Sequence, residues 1–323
     1  MADGDLVSAS VMTAVETYIA MRRGLGYRSV TQERSLRSFA RHLDTAGHSG
    51  PIPLESTLAW ATWSPSSDPC NPARRMATVR GFLRHLSALD GATEVPAPGL
   101  LGSTGARKPP HIYTDEEIAD LLHVAGGLDP AGGLRPVCYV TLFGLLACTG
   151  LRISEALALS CADVDLDAAV ITVRAGKRGL TRLVPLHESA VAPLGDYATR
   201  RAHMFGVPAG TDAFFRTEAS ERISYNTAHH AFRLLRRRLG WDATGRTRLP
   251  RVHDLRHRMV VRRIQTWHAE DVDVDARVPA LATYLGHVEV RDVYWYLSAV
   301  PELMDIVAER FEAHSGHQSA VRS

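Results

Sequence analysis

A short stretch near the C-terminal end of the sequence carries residue types that can bind and cleave a phosphate ester. It reads His-Asp-Leu-Arg-His, and its spacing places His253, Arg256 and His257 on one helix face, because residues three and four apart are neighbours there. Gly286 and His287 follow, and a segment with two tyrosines begins a few residues later. Imidazole and guanidinium groups suit an anion, and a tyrosine hydroxyl can attack phosphorus. We therefore expect a site that binds a phosphodiester and attacks it.

Basic residues are concentrated around this stretch. The formal net charge is only +2, but residues 228–263 contain eleven arginines against Asp242 and Asp254, a local charge of +9 that leaves about −7 for the rest. Such a block indicates a surface for a polyanion. An arginine run alone fits a solvated helix face equally well.

Lysine is rare in this chain, which makes its positions informative. Of 37 basic residues only Lys108 and Lys177 are lysines, and Lys177 lies near the tip of a predicted β-hairpin between residues 169–174 and 181–186. Lysine can release its proton at an attainable cost and arginine cannot. Lys177 is therefore a candidate proton donor, with an exposed turn lysine as the alternative.

The elements that must position these residues fall into two groups. The first ~90 residues show four amphipathic helical patterns, typical of a small bundle, and Thr114 begins a capping box that opens a second group of elements. Between them the sequence is rich in Pro, Gly, Ala and Ser, as in a linker. We assign residues 1–91 to a helical domain, 92–111 to a linker, 112–313 to a second domain and 314–323 to a disordered tail.

The second domain is predicted to be mainly helical with a small antiparallel sheet. A helix predicted to begin at Leu151 carries Arg152 in its first turn, and Glu155, three residues on, can reach back to orient that arginine. Further helical patterns cover residues 188–205, 225–239 and 301–311. The expected fold class is thus mainly α with two domains, the second of them α+β.

Composition argues against several other classes of protein. Cys70, Cys138, Cys148 and Cys161 lack paired or metal-like spacing, so we expect reduced thiols in a cytosolic protein. No signal peptide opens the chain, and the longest apolar run is too short to span a bilayer. We expect a cytoplasmic protein with no metal, no other cofactor and no membrane contact.

Five motifs in order resemble the tyrosine recombinase (phage integrase) family. They are T-G-L-R-I-S-E at 149–155, G-K followed by R-L-V-P-L at 176–186, H-D-L-R-H at 253–257, L-G-H at 285–287, and a tyrosine nine residues after that histidine. The resemblance covers most of residues 112–311. The N-terminal helices are similar to that family's core-binding domain, which clamps DNA from the opposite side.

The resemblance implies a role for each matching residue. Arg152 and Arg256 would grip the scissile phosphate and stabilise its charge in the transition state, as bidentate guanidinium donors do well. Glu155 would support Arg152. His253 and His287 would hydrogen-bond the phosphate or assist proton transfer.

The resemblance also implies the covalent step. Tyr296 would attack phosphorus to form a 3′-phosphotyrosyl linkage, and Lys177 would protonate the leaving 5′-oxygen. Tyr294 and Tyr296 point in nearly opposite directions on a helix, so only one can face the phosphate. The family's spacing selects Tyr296.

The resemblance implies double-stranded DNA as the partner and hence a nucleoid-associated protein. The family exchanges strands in pairs, which implies a homotetramer, or a mixed recombinase tetramer, on two sites, with the helix at 301–311 a candidate for docking on a neighbouring protomer. The remaining candidate contacts to DNA are the basic residues Arg74, Arg75, Arg84, Arg107, Lys108, Arg233, Arg236 and Arg237.

One departure and several alternatives remain open at this stage. Residues 268–280 make the segment before His287 longer than the family usually has, and we expect an extended acidic loop there. Integration, excision, transposition and chromosome-dimer resolution are equally compatible with the motifs. A catalytically silent DNA-binding protein on the same fold and a relaxing topoisomerase are the competing functions.

Overall fold

The computed structural model describes residues 10–27, 29–63, 71–105, 109–174, 181–242, 249–286 and 293. The chain divides into two compact units, one ending at Lys108 and the other beginning at Pro109. Both are rich in helix, and the second contains one small antiparallel sheet, so the predicted fold class is confirmed. Among the described residues, no helix has the length and apolar character needed to cross a membrane.

The first unit is a bundle of four helices around an aromatic core. Phe39 packs edge-on against Trp60, and Tyr18 lies against Phe82, with all four side chains buried. Ser10 caps the first helix by accepting a hydrogen bond from the backbone of Thr13. The helices are α1 (Val11–Gly24), α2 (Val30–Thr45), α3 (Leu54–Thr62) and α4 (Asn71–Asp90).

Part of the predicted linker packs against this bundle. The backbone N–H of Ile52 donates to Thr93 Oγ1 at 3.1 Å, and the backbone N–H of Glu94 donates to the Ile52 carbonyl at 2.9 Å. Further along, Arg74 Nε donates to the Thr104 carbonyl at 2.7 Å. Residues 93–104 therefore have fixed contacts with the first unit.

The second unit is built around a helix that is buried for most of its length. Apolar side chains surround this helix, α6, because it packs against α5, α8 and α10. Thr114 forms the predicted capping box with Glu117 at the start of α5. The helices are α5 (Asp115–Gly126), α6 (Leu134–Thr149), α7 (Ile153–Ala158), α8 (Glu188–Phe205), α9 (Tyr225–Arg238), α10 (Val252–Ala269) and α11 (Val274–Leu285).

The sheet has three short antiparallel strands, β1 (Val164–Asp165), β2 (Val170–Val173) and β3 (Arg182–Pro185), in the order β1-β2-β3. Ile171 pairs with Val164 on one side and Val184 on the other. Ile171 and Val184 are buried, whereas Leu183 on the alternate face of β3 is exposed. Strand β3 therefore holds its first residue, Arg182, at the edge of the core.

The expected extended acidic loop at 268–280 is wrong. Helix α10 continues to Ala269, and α11 begins at Val274 after a turn of four residues. Asp273 caps α11 by accepting from the backbone N–H of Ala276, and the acid at Asp275 lies in its first turn, where the helix dipole favours negative charge. Buried side chains at Val274 and Val278 anchor the helix to the core.

Candidate active site

The site begins at the junction between α6 and α7. Gly150 ends α6 in the left-handed region with φ of 65°, and Arg152 then occupies the N-cap position of α7. Glu155, in the first turn, accepts the backbone N–H of Arg152 at 3.0 Å and its Nη1 at 2.8 Å. The glutamate thus holds both the main chain and the guanidinium of Arg152.

A second arginine binds the same carboxylate. Arg182 donates from Nη1 to Oε1 of Glu155 at 3.1 Å and from Nη2 to Oε2 at 2.8 Å, a two-pronged arrangement. Burial by itself would raise the pKa of Glu155, but the hydrogen bonds and charges of Arg182 and Arg152 outweigh it and lower the pKa to about 2. Glu155 is therefore ionised at any physiological pH.

The C-terminal end of α11 gathers three arginines. Arg182 Nε donates to the Tyr284 carbonyl at 2.8 Å, and Arg256 Nη2 donates to the Leu285 carbonyl at 2.7 Å. Arg152 reaches the same Leu285 carbonyl through Nη1, at 3.4 Å. The last carbonyls of a helix lack intrahelical partners and carry the negative end of the helix dipole, so they suit this concentration of positive charge.

Arg256 lies beneath the surface. Its side chain is buried, and its Nη1 donates to the Gly150 carbonyl at 2.7 Å. Together with the bond to Leu285, this fixes the plane of the guanidinium between the end of α6 and the end of α11. Two of the predicted phosphate ligands, Arg152 and Arg256, are thereby brought to one carbonyl oxygen from distant parts of the chain.

Next to Arg152 is an open cavity of about 410 Å³ with a basic lining. Apolar residues also line it, among them the buried Phe232. The residues that line it come from α7, α9 and the start of α10, and they are Arg152, Ile153, Ser154, Tyr225, His229, Phe232, Arg233, Arg236, Arg251, Val252 and His253. A cavity with four arginines and two histidines suits an anionic ligand.

His253 lies at the surface of this cavity, and its pKa is lowered to about 4. The protein around the ring removes part of its hydration, and the positive charges of Arg256, Arg251 and Arg152 add to that effect. Without an anion the ring is therefore neutral at pH 7. His257, by contrast, is buried and lies edge-on to His253 with ring centroids 4.8 Å apart. The two imidazoles are neighbours, but only His253 lines the cavity.

The N-terminus of α10 is fixed by a buried acid. Asp254 accepts from the backbone N–H of Arg251 at 2.9 Å and from its Nη2 at 2.8 Å. The Arg251 carbonyl in turn accepts from the hydroxyl of Tyr113 at 3.0 Å. These bonds hold the turn that presents His253.

The candidate DNA contacts on the first unit differ in their exposure and in their contacts within the protein. Arg84 is exposed, and Arg74 is exposed although it donates to the Thr104 carbonyl. Arg75 is half-buried, with its guanidinium 4.0 Å from the centroid of the Trp60 ring and its Nη2 donating to the Trp60 carbonyl. Burial lowers the pKa of Arg75. These contacts of Arg75 lie within the bundle, and its role on DNA stays a prediction.

The arginines of α9 also divide into two kinds. Arg233 is exposed at the cavity. Arg236 is largely covered, donating to Asp242 and to the Pro250 carbonyl, whereas Arg237 is mostly exposed, with its Nε 3.7 Å from Asp242. Both Arg236 and Arg237 thus lie beside Asp242, whose negative charge is already included in the local charge of +9. Of the three arginines, Arg233 is the best candidate for a contact to a ligand, because it is exposed and lines the cavity.

Several predicted site residues lie outside the described residues. They are Arg107, Lys108, Lys177, His287 and Tyr296, together with the alternative nucleophile Tyr294.

Sequence reasoning missed two groups of residues. Arg182 belongs to one of the five motifs, but nothing in the sequence indicated a role for it. In the structure it contacts Glu155 and the end of α11. The cavity-lining residues Tyr225, His229 and Arg251 belong to none of the five motifs. The spacing of Tyr225 and His229, four apart at the start of an amphipathic helix, is the one sequence signal that could have placed them together.

Comparison with known proteins gives consistent results. A model described as the phage integrase family matches residues 113–302. The protein named "Putative integrase/recombinase y4rB" from Sinorhizobium fredii is 39% identical over 302 residues, covering 93% of this chain and 96% of the relative. "Tyrosine recombinase XerD" from Mycobacterium tuberculosis is 29% identical over 293 residues, covering 86% and 89%.

Solved structures share the fold at lower identity. The Tn1549 transposon integrase in complex with transposon right end DNA is 15% identical, with a TM-score of 0.64 over 94% of this chain and 99% of that one. A lambda integrase tetramer bound to a Holliday junction is 15% identical, with a TM-score of 0.59 over 88% and 79%. At such identity the likeness establishes the fold alone.

Proposed function

Because the chain belongs to the phage integrase family of tyrosine recombinases, we propose that it cleaves and rejoins double-stranded DNA at specific sites through a 3′-phosphotyrosyl intermediate. The observation that carries the proposal is the convergence of Arg152 and Arg256 on the Leu285 carbonyl, beside a basic cavity that also contains His253. Guanidinium groups fixed before the substrate arrives can stabilise charge that develops on a phosphate without reorganising during the reaction.

In this proposal Tyr296 is the nucleophile. Its oxygen bonds to phosphorus, the bond from phosphorus to the 5′-oxygen breaks, and Lys177 gives its proton to that oxygen. The tyrosine proton passes to a base, for which His253 or His287 is suited because a neutral imidazole can accept it. In DNA-free protein the His253 ring is uncharged but weakly basic, because its pKa is lowered to about 4. A negatively charged phosphate beside the ring would raise that pKa and make His253 a stronger base. The phosphotyrosyl ester preserves the energy of the broken bond, so a second strand can be joined without ATP.

The proposed partner is duplex DNA bound by both units, and the proposed assembly is a tetramer on two sites. Support comes from the neighbours: one is a transposon integrase in complex with transposon DNA, and another is a tetramer bound to a Holliday junction. Exposed arginines on each unit, such as Arg84 and Arg233, can contact phosphates. The relatives' names include both integrase and recombinase.

Covalent capture tests the proposal and identifies the target sequence in the same experiment. The protein is incubated with a pool of nicked duplexes of randomised sequence, so that the strand beyond the cut is lost and the linkage accumulates. Denaturant-resistant adducts are recovered and their DNA is sequenced. Adducts enriched in one sequence, with the protein joined to a 3′-phosphate, are the expected result.

Two tyrosine variants provide the matched control. Tyr296→Phe should abolish the adduct and leave DNA binding intact, whereas Tyr294→Phe should retain it. The reverse pattern would mean that Tyr294 is the nucleophile. DNA binding with no wild-type adduct would indicate a catalytically silent binding protein, and relaxation of a supercoiled plasmid without sequence preference would indicate a topoisomerase.

A further inference from the structure

Arg182 has contacts that no assigned role explains. It is the first residue of β3, its side chain is only 11% exposed, and three of its nitrogens donate to other parts of the unit. Two of these bonds reach Glu155, and the third reaches the Tyr284 carbonyl. A Cβ at Gly286 would lie 2.9 Å from Arg182 Nη1, so the guanidinium is closely packed on the backbone there. Arg182 thus connects the sheet, the start of α7 and the end of α11.

Charge gives a reason for this second arginine. A carboxylate that holds Arg152 also cancels most of its positive charge, which would weaken the attraction of Arg152 for an anion. With Arg182 on the other side of Glu155, the three groups together carry a net charge of +1. Arg256, on the neighbouring Leu285 carbonyl, adds a further positive charge. The orientation of Arg152 is therefore obtained without loss of the site's positive potential.

The protonation state of Glu155 gives a second reason for the presence of Arg182. The Glu155 side chain is only 8% exposed, and removal from water favours the neutral form of a carboxyl group. The hydrogen bonds and charge of Arg182 lower the pKa of Glu155 more than those of Arg152 do. A protonated Glu155 would keep fewer acceptor sites for the backbone and side chain of Arg152.

We propose that Arg182 is a positioning residue of the cleavage site, holding Glu155 so that Arg152 is fixed in orientation and retains its positive charge toward the scissile phosphate. The proposal rests on the proposed function for the identity of the anion. Arg182 itself is covered by Glu155 and by the end of α11, and it acts on the substrate only through Arg152.

The first arm of the test needs no cleavage. The full-length protein is labelled with ¹³C at the glutamate carboxyl carbon, and the Glu155 signal is assigned by its loss in Glu155→Gln. In the wild type this signal should stay that of a carboxylate down to the lowest pH at which the protein remains folded. In Arg182→Gln it should titrate at higher pH, and in Arg182→Lys the change should be smaller because the positive charge remains.

The second arm measures cleavage of a duplex recovered by covalent capture with the wild type. Arg182→Gln should slow cleavage about 10- to 100-fold, as loss of a supporting contact commonly does, while DNA affinity stays within about threefold. The acid limb of its pH–rate profile should move to higher pH. In a Glu155→Gln background, the further change Arg182→Gln should slow cleavage by less than about threefold, because its route to Arg152 is already lost.

Arg174→Gln is the matched control. Arg174 follows β2 and pairs with the buried carboxylate of Asp163 at 2.5 Å, so this variant also removes an arginine–carboxylate pair beside the sheet. It should leave both the Glu155 titration and the pH–rate profile unchanged.

The outcomes separate this proposal from the function it rests on. If the wild type forms no adduct, the proposed function fails, and the titration of Glu155 still decides whether Arg182 controls that carboxylate. If the wild type cleaves, an unchanged rate in Arg182→Gln overturns the positioning role. Equal losses with and without Glu155 overturn it too, because they would mean that Arg182 supports only the fold. An unchanged Glu155 titration in Arg182→Gln has the same consequence.

Discussion

Replacing Glu155 with glutamine should remove a large, pH-dependent part of the stability of the second unit. Glutamine preserves the shape of the side chain but turns one acceptor oxygen into a donor that faces the donors of Arg152 and Arg182. The carboxylate is almost fully covered, so solvent screening reduces its interactions only slightly.

The magnitude follows from the pKa of Glu155, which falls from 4.5 to about 2 on folding. A difference of ~2.5 pH units corresponds to roughly 3 kcal/mol of folding free energy. Because the folded pKa is depressed, this stabilisation is complete above pH 4.5 and is lost as the pH falls through 2. Wild type and Glu155→Gln should therefore differ by roughly 3 kcal/mol at pH 7. Below pH 4.5 the difference should shrink by ~1.4 kcal/mol per pH unit.

Urea unfolding monitored by hydrogen exchange of α6 peptides measures this difference, since α6 lies in the core of the second unit. Glu188→Gln, which changes an exposed glutamate in the same unit, is the control and should cost less than about 1 kcal/mol. Parallel stability curves for wild type and Glu155→Gln between pH 5 and 3 would refute the reasoning, because the carboxylate would then be no better held in the folded state than in the unfolded one.

Four further predictions can be tested separately. Gly150→Ala should destabilise the second unit by about 1–3 kcal/mol in thermal unfolding, because a φ of 65° strains alanine and the new Cβ would also displace Cε at the end of the buried Met259 side chain; Gly240→Ala, with a similar φ but no atom within 4 Å, should cost less. Lys177→Arg should cleave ~100- to 10,000-fold more slowly, and a substrate with sulfur at the bridging 5′-position should restore the rate; failure of that rescue would exclude a proton-donor role. Arg233→Gln should weaken binding to all DNA sequences alike and lower the slope of log affinity against log salt by about 1, whereas a loss confined to the target sequence would mean base recognition. In DNA-free protein, NMR titration of His253 should give a pKa near 4, and a value near 6.5 would contradict the electrostatics of the cavity.

The sequence determined the identity of most elements, since their signals are local. The capping box at Thr114, the apolar run that becomes α6 and the alternating residues of β2 depend on neighbours within a few positions. The ordered motifs likewise identify the family from the sequence alone. Among the elements that the structure describes, the acidic stretch at 268–280 was the exception. We predicted a loop there from the acidic residues, although Val274 and Val278 have the spacing of one helix face. Acids near a helix N-terminus also favour the start of that helix.

The tertiary structure alone decided which charges belong to the site. Arg182 meets Glu155 across 27 residues and the Tyr284 carbonyl across 102, and no local pattern encodes such distances. The same applies to Arg75, which resembles any exposed arginine in sequence but lies on the Trp60 ring. The burial of Arg256 between two helix ends is a further case. A guanidinium can donate hydrogen bonds to a carbonyl, a carboxylate or a phosphate, and it can also stack on an aromatic ring, so its partner depends on what packing brings within reach.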